Sequence, residues 1–425
     1  MKFFIILWNL SMINEILQES IIQRDFYLKQ IVWFLETPII KVFTWMRRVG
    51  KSSILKSLIQ NLVNKGSFPK ENIFYVNKEL IDFDWIKDYH DLEHCFQAFL
   101  QTANTAKRIF IGVDEVQDVV GREKFINSCL AKYQQKAEIF VTGSNSTMLS
   151  SDLSTYLSGR YVEFKIFPLS FEEYSLFTKK EKSKELFFEY LKLGGLPGNF
   201  TIKFGNENIF RYLSDVYSTI ILKDVVKHFG VRNINFLEDL YKFTFGNIGN
   251  IVSAKNISDY LKSQNIKISP EVVLNYLSFW TKVYLFSQVK SEDPNTKKYF
   301  EIFNKYYVCD LGLRNAIVGC NLTKDIGQLL ENYVYNQLQR FWYQVAIWRL
   351  AQGQEIDFIA TKNGVTKYFQ VCYLLSDESV TRREFLPLQK LKDNREKYVL
   401  SLDDFSWGNT DGIRHLSMLQ LEEIL

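Results

Sequence analysis

An apolar run, a sharp turn and an amphipathic helix follow one another without a break between Ile39 and Gly66, and the turn ends in Gly50-Lys51-Ser52. "IIKVFTW" reads as a buried strand. "SSILKSLIQNLVNKG" repeats its apolar residues at helical spacing as far as a glycine that can end it. A strand, a glycine-lysine turn and a helix in this order aim consecutive backbone amides, a positive helix terminus and one ammonium at the same point, which suits a phosphate. The pattern then repeats: strand "NIFYVN", a helix around "DLEHCFQAFLQ", strand "RIFIGVDE", a helix around "KFINSCLAKYQQK" and strand "AEIFVTGS". Strands alternating with helices imply a parallel sheet with crossovers, so residues 1–168 are expected to form one α/β domain of the P-loop NTPase kind.

The chain has 425 residues, of which 47% are hydrophobic, enough for more than one core. Its 52 basic and 48 acidic residues leave a net charge of +4, which excludes coating nucleic acid by bulk electrostatics. Five scattered cysteines with no CxxC pair argue against a disulfide framework and a structural zinc site, and favour a cytoplasmic protein. His90 and His94 are four apart, but Asp91 follows the first, so the pair reads as a solvated helix face. The apolar opening "MKFFIILWNL" is far short of the ~20 residues of a membrane span. Either translation begins at Met12 or residues 1–11 pack as an edge segment; no membrane partner is expected.

Within the turn, the amides of Arg48, Val49, Gly50, Lys51, Ser52 and Ser53 are the expected nucleotide contacts, with Lys51 reaching the β and γ phosphates of ATP and Ser52 holding Mg2+. Trp45 stands where the first glycine of such loops belongs. If that position needs positive φ, a bulky residue costs about 1–3 kcal/mol, which predicts weakened binding. The strand "RIFIGVDE" ends in Asp114-Glu115: Asp114 would hold Mg2+ through water, and Glu115 would act as base on the attacking water. At the end of the next strand Ser144 or Asn145 either reaches the γ-phosphate or forms an Asx or Ser turn.

The segments "RRVGKSSIL", "GVDEVQDV", "TGSNSTMLSSDLSTYLSGRYVEFKIFPLSFEEY", "GGLPGNF", "LLENYVYNQL", "EIDFIA" and "QVCYLL" resemble the AAA+-like P-loop ATPases of archaea and bacteria. In these the C-terminal half carries a domain of unknown function with a nuclease-like fold. The resemblance covers nearly the whole chain after residue 12. The family loop reads G-x-R-R-x-G-K followed by Ser or Thr, so Trp45 departs from it at the first glycine. The resemblance implies that Arg160, in "LSGRYVEF", is an arginine motif stabilising charge on the γ-phosphate, from within the subunit or across an oligomer interface.

Beyond the first domain, residues 169–245 are expected to be helical and residues 246–325 to be winged-helix-like, with the helix after Ser269-Pro270 in the recognition position. That helix, "PEVVLNYLSFW", lacks lysine and arginine, so the segment reads as a packing module. Lys255, Lys262 and Lys267 are the best candidates for contacts to a DNA backbone. Residues 326–425 are expected to form a small α/β domain similar in layout to the restriction-endonuclease fold. Asp357 fits the first metal position and Glu331 on the preceding helix can contribute, while Gln370-Val371-Cys372 stands in place of Glu-x-Lys. The expected function is Mg2+-dependent ATP hydrolysis coupled to the C-terminal domains. The alternatives are a nucleotide-gated scaffold or DNA-binding protein with weak or lost hydrolysis, and an ATP-regulated metal-dependent nuclease. ATP is the expected ligand; DNA, a second copy of the chain and another protein stay open as partners.

Overall fold

The computed structural model describes residues 2–144, 159–202, 205–226, 234–264, 266–292, 299–349, 354–406 and 408–425, and the chain divides into two compact units, Met1–Ile166 and Phe167–Leu425. The N-terminal unit runs α1 (Lys2–Gln18), α2 (Asp25–Val32), β1 (Ile40–Thr44), α3 (Lys51–Asn64), β2 (Ile73–Asn77), α4 (Tyr89–Leu100), β3 (Ile109–Asp114), α5 (Arg122–Tyr133), β4 (Ala137–Thr142) and β5 (Tyr161–Lys165). Every residue of β1 to β4 is buried, as expected where helices cover both faces of a parallel sheet.

The five strands are parallel in the order β2-β3-β4-β1-β5. Because the chain returns from β1 to the far edge before coming back to β4, the carboxyl ends of β1, β3 and β4 open together at the switch point, where ligands of such sheets bind. The β2 edge is closed by α1. The Asn9 carboxamide donates to the Ile73 carbonyl at 2.8 Å and accepts from the Tyr75 N–H at 3.3 Å. Toward the amino ends of the neighbouring strands β1 and β4, Lys41 and Glu138 form a fully buried ion pair of 2.5 Å, which Arg108 joins.

The C-terminal unit begins with helices α6 (Phe171–Thr178), α7 (Lys184–Leu193) and α8 (Asn206–Thr219), continued by a π-helical turn over Ile220–Val226. Then follow α9 (Ile234–Gly246), β6 (Ile251–Val252), α10 (Ala254–Ser263), α11 (Pro270–Lys282), β7 (Phe286–Glu292), β8 (Tyr299–Val308), α12 (Leu311–Val318) and α13 (Leu322–Arg340). The last stretch is β9 (Gln344–Arg349), β10 (Glu355–Lys362), β11 (Val365–Val371), α14 (Glu378–Gln389), β12 (Glu396–Ser401), β13 (Asn409–Thr410) and β14 (Ile413–Ser417). The segments that the sequence divides at 325/326 share one nine-stranded sheet, β13-β14-β12-β11-β10-β9-β7-β8-β6, joined where Ser291 of β7 pairs with Ile347 of β9.

The glycine-proline turn "GGLPGNF" has a packing reason. Gly194 has φ +75°, and a Cβ there would lie 2.4 Å from an Asp310 carboxylate oxygen; one on Gly195 would lie 2.4 Å from the Leu169 carbonyl oxygen. Asp310 accepts the Gly195 N–H at 2.7 Å and the Leu313 N–H at 3.0 Å, capping α12 while tying down the turn. Burial pushes its carboxyl from 3.8 up to about 6. With the folded-state value above the unfolded one, the native protein takes up this proton first as pH falls. The group's contribution to stability therefore grows as pH falls through about 6 and levels off below the ordinary value of 3.8. In urea unfolding of the C-terminal unit, the stability difference between wild type and Asp310→Asn should move in favour of wild type by about 1 kcal/mol between pH 7.5 and 5. A pH-independent difference would contradict this assignment.

Candidate functional site

The loop between β1 and α3 takes left-handed backbone at Trp45 (φ +129°), Arg48 (φ +68°) and Gly50 (φ +95°). Alternating handedness turns successive N–H groups to one side and builds an anion-binding concavity. Gly50 caps α3 with no side chain, so the first amides of that helix remain open to a ligand. The Trp45 side chain is buried, at 4% exposure. Lys51 folds back over the loop: its ammonium donates to the carbonyls of Trp45 and Met46, each at 3.0 Å, and lies 3.7 Å from Glu115.

The ends of β3 and β4 face this loop. Asp114 has no exposed surface, and its carboxylate is met by hydroxyls: Thr142 on one oxygen, Tyr75 at 3.1 Å on the other, and Ser52 from the first turn of α3. Burial, with the neighbouring Glu115 charge, pushes its carboxyl up, against the pull of Ser52, Thr142 and Lys51. Glu115 is held in left-handed backbone (φ +53°) by its N–H, which donates to Thr142 Oγ1 at 3.0 Å. Burial pushes the Glu115 carboxyl up, but Lys51, Arg47, Gln117 and Ser144 outweigh it and leave the group below its ordinary value. Hydroxyl and carboxylate oxygens of this kind, from Ser52 and Asp114, suit a hard divalent cation.

The expected residues converge unequally. Gly50, Lys51, Ser52, Asp114 and Glu115 come together, with Val49 buried in the loop. The Arg48 and Ser53 side chains are exposed, so only their backbone is available to a ligand; it is Arg47 that turns inward, 3.8 Å from Glu115 and 3.3 Å from Glu79. Asn145 lies outside the described residues. Arg160 is exposed and immediately precedes Tyr161, which pairs with Ile40, the residue of β1 farthest from the loop. About 13 Å of strand therefore separates it from the loop of its own chain, and the within-subunit role expected for it does not fit. Sequence reasoning missed Thr142, Tyr75 and Arg47. Thr142 follows Val141, the partner of Val113, so the strand register alone would have set it beside Asp114.

In the C-terminal unit, Glu331, Asp357 and Gln370 are neighbours. The Asp357 N–H donates to Gln370 Oε1 at 3.4 Å, and Val371 N–H donates to the Asp357 carboxylate at 2.8 Å. Glu331 and Asp357 line a cavity of about 1130 Å³ that also takes in Glu355 and Lys305. The Lys305 ammonium from β8 is 2.8 Å from Glu331 and 3.3 Å from Glu355. Burial pushes Asp357 well above the usual carboxylate range, reinforced by Glu331 and opposed by Lys305. Burial lowers Lys305, but Glu331, Asp357 and Glu355 outweigh it and leave it raised. Among the described residues no group of three or more His, Cys, Asp or Glu side chains is placed to hold a metal ion.

Residues 38–175 match a family model described as an AAA domain, and residues 184–324 and 326–420 match two domains of unknown function, DUF8612 and DUF4143. An uncharacterized protein of Haemophilus influenzae is 32% identical over 403 residues, covering 93% of this chain and 97% of that protein. One of Methanocaldococcus jannaschii is 30% identical over 396 residues, covering 89% and 82%. Among solved structures, a Walker-type ATPase of Pyrococcus abyssi aligns with 70% of this chain and 96% of its own at 15% identity, with a TM-score of 0.45.

Trp45 combines left-handed backbone with an indole buried in the fold of the loop, so the strain, about 1–3 kcal/mol, is a cost of folding that a nucleotide need not meet again on binding. Trp45→Gly should accordingly change ADP affinity by less than about threefold in calorimetric titration. A gain of tenfold or more would show that the indole obstructs the loop.

Proposed function

We propose that this chain, which belongs to the same family as the Haemophilus influenzae and Methanocaldococcus jannaschii proteins and carries an AAA-type ATPase domain, hydrolyses ATP with magnesium. The reading rests on one observation: the loop amides, Lys51, Ser52, Asp114 and Glu115 share a single crevice at the carboxyl ends of β1, β3 and β4. The amides from Arg48 to Ser53 cradle the phosphates. Lys51 turns from the carbonyls of Trp45 and Met46 to phosphate oxygens, and Ser52 and Asp114 would hold Mg2+, which would supply charge neutralisation at the phosphates.

Glu115 orients the attacking water and accepts its proton. Burial favours its neutral form, but Lys51 and Arg47, with Gln117 and Ser144, outweigh that and keep the carboxyl ionised and able to take the proton. Arg160, at the far end of the sheet from its own loop, acts on the nucleotide of a neighbouring copy. The chain works in the cytoplasm, a reading that the free thiols of Cys95, Cys129, Cys309, Cys320 and Cys372 support. No helix among the described residues is long and apolar enough to cross a membrane.

For the C-terminal unit, binding or assembly is favoured over nuclease chemistry. Of the carboxylates there, Glu331 and Glu355 are already met by Lys305, and burial favours the neutral form of Asp357, which a hard cation does not take. For DNA, the exposed Lys255, Lys262 and Lys267 are better placed than α11, whose first two turns expose Glu271, Val272, Leu274 and Asn275 and whose cation, Lys282, stands at its last residue.

Phosphate release tests the main reading. Lys51→Ala should abolish nucleotide binding, whereas Glu115→Gln should keep binding and lose turnover by about 100-fold or more. Absence of any calorimetric heat with ATP at millimolar concentration in folded wild type would refute it. In a plasmid-nicking assay with magnesium, wild type and Asp357→Ala should both leave the DNA intact; nicking that disappears in the variant would restore the nuclease reading.

A further inference from the structure

Arg24 lies ahead of the AAA-domain match, which begins at residue 38, yet its side chain ends on the phosphate loop. It is 4% exposed. Its backbone carbonyl starts α2, accepting from the N–H groups of Tyr27 at 3.1 Å and Leu28 at 3.3 Å. Its guanidinium stacks over the buried Tyr27 ring, 4.7 Å from the centroid, and Nη1 donates to the Val49 carbonyl at 3.0 Å. Backbone, stacking and hydrogen bond together fix the donor in one place, which a guanidinium does better than an ammonium.

A trans peptide is planar, with C=O and N–H on opposite sides. Holding the Val49 carbonyl toward Arg24 therefore turns the next N–H, that of Gly50, the other way. Gly50 needs this help, because its φ of +95° is one of several that a residue without Cβ can take. We infer that Arg24 is a positioning residue of the phosphate site: it sets the Val49–Gly50 peptide so that the Gly50 amide, the last before Lys51, faces the anion. Its ligand is the β-phosphate of ADP or ATP, so the inference rests on the nucleotide reading given above.

The test uses the full chain, with ADP and ATP binding followed by calorimetry and turnover by phosphate release. Arg24→Met keeps the bulk over Tyr27 and removes the donor. ADP binding should weaken by about tenfold, what one hydrogen bond from a charged donor is worth, and KM for ATP should rise in step while kcat stays within about threefold. Arg24→Lys, with a charge but no planar fork, should fall between the two. A merely structural role would lower the unfolding midpoint without nucleotide and leave the affinity and KM of the folded protein unchanged. Wild-type affinity in folded Arg24→Met overturns the inference; if that variant does not fold, wild-type affinity in Arg24→Lys overturns it. Failure of wild type itself to bind ADP or ATP would instead bring down the nucleotide reading, and this inference with it.

Discussion

A carboxylate with no exposed surface must be solvated by the protein, and Asp114 is solvated by three hydroxyls from three different elements: Tyr75 on β2, Ser52 on α3 and Thr142 at the end of β4. Leaving a buried charge unmet would cost several kcal/mol, so these elements are held in mutual register by one side chain. Thr142 extends the arrangement, since the same hydroxyl accepts the Glu115 N–H and so fixes the left-handed turn that follows Asp114. The loop, the two acids and the tip of β4 thus form one connected unit.

Much of this was legible from local pattern. An apolar run followed by Gly50-Lys51-Ser52, and another ending in Asp114-Glu115, are short-range features in which the strand's end and the chemistry coincide. Tyr75 and Thr142 were not, because each looks like an ordinary member of an apolar strand until register sets it beside Asp114. Arg24 and Val49 are separated by 25 residues, and no periodicity connects them. Trp45 was legible as an anomaly; its backbone angle and its buried indole were not. For Arg160 the motif left open whether it serves its own subunit or a neighbour, because that depends on its place just ahead of β5, which the sequence does not display.

In the C-terminal unit, sequence reasoning noticed that Gln370 and Cys372 remove a charge and a cation from the expected Glu-x-Lys. It could not see that β8 supplies a cation from elsewhere. Lys305 lies 26 residues before Glu331 and reaches it because α13 packs on β8, where Asn332 exchanges hydrogen bonds with the Val308 backbone. The glycine-proline turn was likewise visible only as a turn; its purpose, close approach to Asp310, is a contact across 115 residues.

The Asn9 carboxamide on α1 offers β2 one acceptor and one donor with the spacing of a peptide group, so the outermost strand meets a side chain where another strand would dock. Sheet extension at that margin is thereby refused, and with it the route by which parallel sheets of neighbouring molecules zip into open-ended polymers. Strand-to-strand joining of copies is left to the other sheet margins, so a single amide on α1 narrows the geometries in which an assembly can form.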